Sequence, residues 1–429
     1  MIYSPAAISN SSVQEVKSTE ITGCAFTKSV NENRPMNATQ TTPHLWGSNT
    51  PARFWRWQSV ISDECWHTAF SNAVEVLGFP TYLPDVDSLL EAVLGEALLG
   101  PNRYQFSRMV RVYYRIKPLI PRHVSCTLRR FLGDLRRKNF SLGWPIEDRY
   151  ARFQWEIARQ LLLLTCQDKL AFTHFWPQGQ QFAFVLTHDV ESADGQKFVP
   201  VIADLEERMG YRSSFNFVPE RYVTDSGLIE DLRQRGFEIG VHGLTHESGL
   251  FSSRAHFMQQ AECINRYLDD WDAVGFRAPF MHRQPEWMQA LHVKYDLSFF
   301  DTDPWEPMPG GTMAIWPYFL GHFVELPYTL VQDNTLMNIM KQTSPDLWLK
   351  KVEFLRQYYG MALLNSHPDY LKAANRLEIY THFLESVQSL GNYWHALPRD
   401  VACWWRKRAE QEVGCIGTVA LGAHGLTFT

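Results

Sequence analysis

Two pairs of side chains in this 429-residue sequence have spacings suited to binding a metal ion and moving a proton. His242 and His246 lie four residues apart in GVHGLTHESG, and in a helical turn that spacing places both imidazoles on one face, where they can share a metal ion. Asp189 and Glu191 lie two residues apart in FVLTHDVESADG, so on an extended chain both carboxylates point to the same side. One carboxylate could then bind the metal while the other accepts a proton. Neither pair is strong evidence alone, because two acids are typical of a solvated turn and a histidine pair at this spacing can occur by chance. The position of each pair in the fold therefore decides whether it has a function.

The elements that would position these pairs are short apolar runs that alternate with helical patterns after Pro177. This alternation predicts βα units and a parallel sheet, whose strands carry functional groups at their carboxyl ends. Five of the seven predicted strands end in His, Asp, Glu or Arg. We therefore predict an α/β fold, a distorted (β/α)7 TIM-like barrel with an extra helical N-terminal region. The strand candidates are FAFVLTHD, SSFNFVP, FEIGVHG, VGFRAPF, LSFFDTD, HFVELPY and GMALLNSH.

The chain divides by composition into four segments. Residues 1–55 are rich in Ser, Thr and Asn without a hydrophobic period, which predicts a disordered or extended arm. Residues 56–176 repeat apolar residues three and four apart and predict a helical region. Residues 177–395 contain the predicted catalytic barrel, and residues 396–429 form a C-terminal extension.

Bulk composition narrows the function classes. Hydrophobic residues make up 45% of the chain, which indicates a folded protein. The net charge is -5, and positive and negative residues are interspersed along the chain, which argues against a nucleic-acid partner. The seven cysteines form no C-x-x-C pair and predict reduced thiols. The N-terminus has neither a basic nor an apolar leader pattern, so we predict a cytoplasmic protein without a transmembrane span. The oligomeric state is left open.

Arg and Lys recur among Tyr, Phe and Leu from Arg103 to Arg137. This pattern is typical of amphipathic helices whose solvated basic face covers apolar surface with long side chains. A lipid or phosphate surface is the alternative partner of such a face. Peripheral membrane contact therefore stays open as an alternative.

Five motifs occur in the order THDVE, HGLTH, RAPF, DTDPW and LLNSH. In order and residue chemistry they resemble the five motifs of the polysaccharide deacetylase family, the NodB-homology carbohydrate esterases. The resemblance implies that Asp189 is the catalytic base and that His242 and His246 bind a divalent metal. The family's first motif usually ends in two adjacent Asp, the second of which binds metal, but Val190 follows Asp189 here. The resemblance therefore implies that Glu191 supplies the metal carboxylate.

The resemblance covers about residues 180–370 and assigns two further catalytic side chains. Arg277 of RAPF is expected to pair with Asp189 and favour its ionised form, and His367 of LLNSH is expected to be the general acid. A structural tie between strand ends and a satisfied buried histidine are the respective alternatives. Asp301 or Asp303 would either orient a catalytic histidine or cap a loop.

The resemblance also implies a substrate pocket. Trp305 is expected to form a wall of the sugar-binding pocket, and Leu364 is expected to line the acyl pocket. The other expected substrate-binding residues are Pro279 and Phe280 of RAPF. His188, where the family often has Phe, is expected to leave the opposite face of the strand from Asp189 and to pack against a neighbour, with metal binding as the alternative.

Taken together, the motifs predict a metal-dependent hydrolase, with Zn²⁺ as the expected ion, that removes an N-acetyl group from an amino sugar or glycan precursor. The lack of a leader pattern favours a precursor on a lipid or nucleotide carrier. Two alternatives remain: a hydrolase of small imide or ureide N-acyl compounds, and a catalytically inactive glycan-binding relative, which the departure at Val190 would explain.

Overall fold

The computed structural model describes residues 44–107, 110, 112, 122–423 and 425–429. Most of the predicted N-terminal arm, and the part of the basic run between residues 113 and 121, lie outside the described residues. No helix in the described part of the chain is both long enough and apolar enough to cross a membrane.

The described residues form twelve strands in two sheets. β1, β11 and β12 make a small antiparallel sheet, and the other nine belong to the large sheet. The strands are β1 (Lys169–Thr173), β2 (Phe182–Val190), β3 (Ser214–Phe217), β4 (Glu238–Val241), β5 (Gly275–Phe276), β6 (Tyr295–Asp296), β7 (Tyr318–Leu320), β8 (Phe323–Glu325), β9 (Met361–Ser366), β10 (Tyr393–His395), β11 (Ile416–Gly422) and β12 (Gly425–Phe428).

Seven strands of the large sheet curl into a barrel in the order β9, β2, β3, β4, β5, β6 and β8, each parallel to the next. The two ends of the sheet meet beyond β8, where Leu330 forms a parallel bridge with Leu364 and its N–H donates to Leu363 O at 3.1 Å. Six of the seven strands coincide with predicted ones, whereas the fifth predicted run, LSFFDTD, begins directly after β6. The distorted (β/α) barrel is confirmed. Every residue of β2, β3, β4 and β9 is buried, because helices cover the outer faces of these strands.

Most barrel helices lie where the hydrophobic period predicts them. α8 begins after Asp225, whose carboxylate accepts from the N–H groups of Gly227 and Leu228. The sequence QPEWMQALHVKYD (residues 284–296) predicts a long helix, but the structure has only the single turn α10 there. Asn265 hydrogen-bonds the backbone of Ala290 and His292 and so replaces helical bonds. The helices are α1 (Pro51–Trp55), α2 (Asp63–Ala73), α3 (Val86–Val93), α4 (Arg122–Lys138), α5 (Arg149–Leu164), α6 (Ala193–Gln196), α7 (Val199–Arg208), α8 (Ser226–Gln234), α9 (Arg254–Asp270), α10 (Pro285–Met288), α11 (Asp346–Gln357), α12 (Pro368–Leu371), α13 (Ala374–Leu390) and α14 (Pro398–Ala409).

The helices that precede the barrel pack directly on it. A buried ion pair joins the two parts: Arg283 Nε lies 2.7 Å from Glu96 Oε2, and Glu96 Oε1 also accepts from Gly311 N at 2.9 Å. Both charged side chains are about 1% exposed, so neither can exchange its partner for water. The pair holds the N-terminal helices on the loops around the carboxyl ends of the barrel strands.

Candidate active site

Asp189 lies at the carboxyl end of β2 with both carboxylate oxygens hydrogen-bonded. Oδ1 accepts from Arg277 Nη1 at 2.9 Å and from Asn216 Nδ2 at 3.0 Å, and Oδ2 accepts from Asn365 Nδ2 at 2.9 Å. Burial alone would raise the pKa of the Asp189 carboxyl, but the charge of Arg277 and those of two nearby histidines hold that pKa well below its ordinary value. Asp189 is therefore ionised and fixed in orientation.

Arg277, which follows β5, is fully buried and makes hydrogen bonds to three parts of the barrel. Besides Asp189, its guanidinium donates to Asn365 Oδ1 at 2.7 Å, Thr187 Oγ1 at 3.0 Å and Leu297 O at 3.1 Å. Arg277 thus contacts Asp189, as the resemblance of RAPF implies. It also connects the ends of several strands, which was the alternative structural role.

Glu191, His242 and His246 converge on one point, with one donor atom of each within 4.8 Å of the others. His246 Nε2 lies 2.9 Å and His242 Nε2 lies 3.9 Å from Glu191 Oε1. The Nδ1–H of His242 donates to Arg277 O at 3.0 Å, which leaves Nε2 with the lone pair. Both Nε2 atoms are buried, and neither hydrogen-bonds to any described residue. Two imidazoles and a carboxylate are the donor set of an open hydrolytic zinc site, so these residues fit a divalent ion.

The ionisation of this group suits metal binding. Burial alone would raise the pKa of Glu191, but the charge of His246 and the proximity of the His242 and His367 imidazoles hold that pKa well below its ordinary value. Burial lowers the pKa of His246, although Glu191 opposes the shift. An ionised carboxylate and a neutral imidazole are the forms that bind a cation.

The segment that carries the two histidines is a loop and not the helical turn in which their spacing would place both imidazoles on one face. His246 has left-handed backbone (φ 54°), and so do Phe280 (φ 60°) and Met281 (φ 52°) on the loop after β5. The Phe280 ring centroid lies 4.8 Å from that of His246. Left-handed backbone is unfavourable for residues other than glycine and is concentrated at functional sites. The loops are therefore strained where they meet the candidate metal ligands.

His367 faces the same point from the end of β9. Its Nε2 lies 3.5 Å from Glu191 Oε1 and 4.0 Å from Asp189 Oδ2. On the other side, Asp333 accepts from His367 Nδ1 at 2.7 Å and from its backbone N–H at 2.8 Å. Burial alone would lower the pKa of His367, but the carboxylates of Asp333 and Glu191 raise it well above its ordinary value. His367 can therefore hold a proton on Nε2 at the site.

The residue that orients His367 is thus Asp333, so the orienting role expected for Asp301 or Asp303 is wrong, while the alternative of loop capping fits Asp303. Asp301 is buried beside the Lys351 ammonium. Asp303 accepts from Trp305 N at 2.7 Å and from Tyr328 O–H at 2.9 Å, which stabilises its own loop. Both carboxylates have these nearer partners, so neither serves His367.

These side chains surround an open cleft of about 540 Å³. Its walls combine the candidate catalytic groups with neutral and acidic hydrogen-bonding side chains. Glu306, which is 6% exposed, accepts from Gln332 Nε2 at 2.8 Å. The lining residues are Asp189, Glu191, His242, His246, Phe280, Met281, Glu306, Pro307, Gln332, Asn334, His367 and Tyr370.

Of the four predicted substrate-binding residues, the structure places Phe280 in the wall of this cleft and the other three outside it. Trp305 packs against Trp144, with ring centroids 6.2 Å apart, and so points to the N-terminal helices. Pro279 lies buried behind the histidine loop. Leu364 alternates with Asn365 along β9, so its side chain faces the helices and not the barrel interior.

His188 also faces the helices, as its alternation with Asp189 predicts. Its Nε2 lies 2.7 Å from Glu206 Oε1 on α7, and its Nδ1 lies 2.7 Å from Ser366 Oγ on β9. Both ring nitrogens are therefore occupied on the side of the strand away from Glu191, and His188 is not a metal ligand in this arrangement.

The sequence reasoning missed three polar residues of the site. Asn216 and Asn365 lie within predicted strands, and the signal for them was a polar side chain in an otherwise apolar run whose alternation turns it inward. Asp333 follows β8 in LPYTLVQDNT, 34 residues before His367, and no local spacing links the two.

The site therefore brings together an ionised carboxylate, a histidine that can hold a proton and a His-His-carboxylate donor set, a combination suited to metal-dependent hydrolysis. No model of a protein family matches the chain, and no curated protein matches its sequence.

Solved structures are similar to this chain over about half of its length. One is assigned as a polysaccharide deacetylase of Mycobacterium smegmatis (20% identity, 56% of this chain and 94% of that chain, TM-score 0.46). Another is assigned as a polysaccharide deacetylase of Pseudomonas aeruginosa PAO1 (14% identity, 55% and 94%, TM-score 0.46). A third is a family 4 carbohydrate esterase from Streptomyces lividans in complex with acetate (12% identity, 51% and 93%, TM-score 0.34).

Proposed function

We propose that the protein is a metal-dependent deacetylase that hydrolyses the N-acetyl group of an amino sugar or glycan precursor. One observation carries the proposal: the ionised Asp189, the His367 imidazole and the donor atoms of Glu191, His242 and His246 all face the same cleft. Asp189 Oδ2 lies 3.8 Å from His242 Nε2 and 4.0 Å from His367 Nε2, so base, acid and candidate metal ligands can act on one small group.

Glu191, His242 and His246 would hold the ion, and their nitrogen and oxygen donors favour Zn²⁺. Such an ion, when bound, polarises an amide carbonyl and lowers the pKa of water. Asp189 accepts the proton of the attacking water, because three hydrogen bonds fix its carboxylate while Oδ2 still borders the cleft.

His367 supplies the second proton transfer. Asp333 fixes the proton-bearing Nδ1 and leaves Nε2 directed at the cleft, where it can protonate the departing amine. Release of the amine and acetate completes the hydrolysis. Breaking a C–N bond needs such an acid, because an unprotonated amine is a poor leaving group.

The open cleft supports a sugar substrate. Its lining includes an aromatic surface, Phe280, and side chains that can hydrogen-bond hydroxyl groups: Glu306, Gln332, Asn334 and Tyr370. A closed apolar pocket would be expected for a small acyl compound alone.

The proposal is tested by acetate release from a panel of N-acetylated sugars and small ureides, together with metal analysis of the purified protein. Asp189→Asn is expected to lower the rate at least ~10²-fold while keeping the metal, because it removes the base. His246→Ala is expected to lose both metal and activity. Asp270→Asn and His292→Ala, at exposed positions away from the cleft, are the matched controls and should behave as the natural protein does. Equal acetate release by all five proteins, or release only from ureides, would contradict the proposal.

A further inference from the structure

Helix α4 presents a mixed apolar and basic stripe to solvent. Phe131 is 59% exposed and Leu135 is 43% exposed, and both are hydrophobic side chains that folding usually buries. Arg130 and Lys138 are exposed beside them. Positions 131, 135 and 138 are three or four residues apart, about one helical turn, and position 130 precedes 138 by about two turns, so the four side chains lie on the outward side of the helix.

The opposite face of α4 rests on the loop that lines the cleft. Gly133 is buried against the Trp305 ring, where a Cβ would lie 2.1 Å from a ring carbon. Arg136 Nη1 donates to Glu306 O at 3.2 Å, and Glu306 is a cleft residue. The helix is therefore attached to the rim of the candidate active site while its other face is turned outward.

We propose that the exposed face of α4 binds the surface of an anionic lipid bilayer. The helix sequence RHVSCTLRRFLGDLRRK contains six Arg or Lys and one acidic residue, Asp134, in a protein whose net charge is -5. Positive charge concentrated on one helix of an acidic protein is complementary to acidic headgroups. Phe131 and Leu135 extend from the same face and can enter the boundary between headgroups and acyl chains.

The exposed apolar pair argues for lipid over a purely ionic partner. Basic side chains alone would suffice for phosphate contacts, whereas an interfacial helix needs apolar side chains on its basic face. The 17 residues of α4 span about 25 Å, enough to lie along a membrane surface. Because Gly133 and Arg136 attach this helix to the cleft rim, binding would hold the cleft beside the headgroups. If the proposed deacetylase function also holds, an N-acetylated sugar on a lipid carrier is the substrate that this position favours.

The test is co-sedimentation of the full chain with vesicles of phosphatidylcholine containing phosphatidylglycerol, compared with phosphatidylcholine alone. We expect binding to the anionic vesicles that weakens as salt is added, because headgroup attraction is screened. Phe131→Ser with Leu135→Ser, and separately Arg130→Gln with Lys138→Gln, should each weaken binding at least about tenfold. Val60→Ser with Tyr82→Ser removes two other exposed hydrophobic side chains (103% and 85% exposed) and should leave vesicle binding unchanged.

Three outcomes would overturn the lipid proposal: no binding to the anionic vesicles at low salt, equal binding to the neutral ones, or equal binding by the natural protein and the α4 variants. Acetate release from a water-soluble substrate is measured on the same proteins and should be unchanged in the α4 variants. Vesicle binding and acetate release can fail independently, so each result bears on its own proposal.

Discussion

The two carboxylates of the site are separated by a residue that points the other way. Asp189 and Val190 belong to β2, Val190 is fully buried, and Glu191 follows at the strand end. Side chains alternate along a strand, so a carboxylate at position 190 would enter the apolar packing between sheet and helices. Glu191, with Asp189, is the residue that faces the histidines. This period of two explains why a sequence with Val190 can still place a carboxylate beside His242 and His246.

Asp333 is expected to matter for rate and not for metal binding. Asp333→Asn removes the negative charge that favours the protonated His367 imidazole, so we expect kcat to fall about tenfold to a hundredfold with little change in KM. Metal content should match that of the natural protein, because Asp333 is not among the candidate ligands. Steady-state acetate release and metal analysis measure both quantities, with Asp270→Asn as the control. An unchanged kcat would remove His367 from the role of acid.

At this scale, sequence reasoning succeeded where the signal was local. The alternation of Asp189 and Glu191 correctly predicted that both carboxylates face one site, and His242 and His246 face the same site from a loop instead of a helical turn. Asp333 could not be found in this way, because its contact with His367 depends on β8 and β9 meeting across the barrel closure. Trp305 was misplaced for a related reason: its neighbours belong to the N-terminal helices, which no motif describes.

At the scale of the elements, a buried polar network joins β2 and β9 on their outer faces, which pack against the helices. His188 and Ser366 are the residues just before Asp189 and beside His367, and Glu206 connects them to α7. Glu206 also accepts from Ser213 O–H at 2.5 Å and from Tyr380 O–H. Burial alone would raise the pKa of Glu206, but His188 and the two hydroxyl groups hold that pKa below its ordinary value. The network thus holds β2 and β9, which carry Asp189 and His367, in register from the side of the sheet that faces the helices.

Removing His188 should destabilise the fold. His188→Leu removes the imidazole that pairs with the buried Glu206 carboxylate and leaves that carboxylate with the hydroxyl groups of Ser213 and Tyr380. Because a buried charge then loses its ionic partner, we expect a loss of about 3–5 kcal/mol in the free energy of unfolding. Urea unfolding measures the loss, and His292→Leu at an exposed position is the control. Adding Glu206→Leu should recover part of the stability, since the unpaired charge is then gone. A His188→Leu variant as stable as the natural protein would show that the network does not hold the strands.

Strand prediction was more accurate than helix prediction in the barrel. Six of the seven strands lie in predicted apolar runs because both of their faces are covered, and this pattern depends only on local sequence; β6 lies just before its predicted run. The helix predicted over residues 284–296 is short because Asn265, from another helix, bonds the backbone at its end. Such competition from a distant side chain leaves no trace in the hydrophobic period.

Across the whole molecule, buried carboxyls make the fold sensitive to pH. Glu238 in β4 accepts from Tyr295 O–H at 2.9 Å and from Arg399 N at 3.1 Å, and burial raises its pKa to about 7. In the unfolded chain its pKa is near the ordinary value of about 4.3. Between these two values the folded protein holds a proton that the unfolded chain has lost, so the free energy of unfolding falls as pH rises.

Glu238→Gln should remove this part of the pH dependence. The free energy of unfolding of the natural protein is expected to fall relative to the variant by about 3 kcal/mol between pH 5 and pH 8. Asp301, whose pKa burial raises to about 6, contributes the same trend to both proteins and cancels in the difference. Urea unfolding at several pH values gives the two curves. Parallel curves would show that Glu238 does not titrate in this range.

The buried ion pair between Glu96 and Arg283 bears on how this barrel can be inherited or engineered. A barrel can be exchanged between proteins as a module only if the surface that contacts its neighbouring domains can also be solvated. Here the N-terminal helices supply the carboxylate that compensates a guanidinium inside the barrel loops, and the same carboxylate holds Gly311. Replacing Glu96 without changing the barrel would leave the buried Arg283 guanidinium without this carboxylate, at a cost of about 3–5 kcal/mol. We therefore expect the N-terminal helices and the barrel to evolve together.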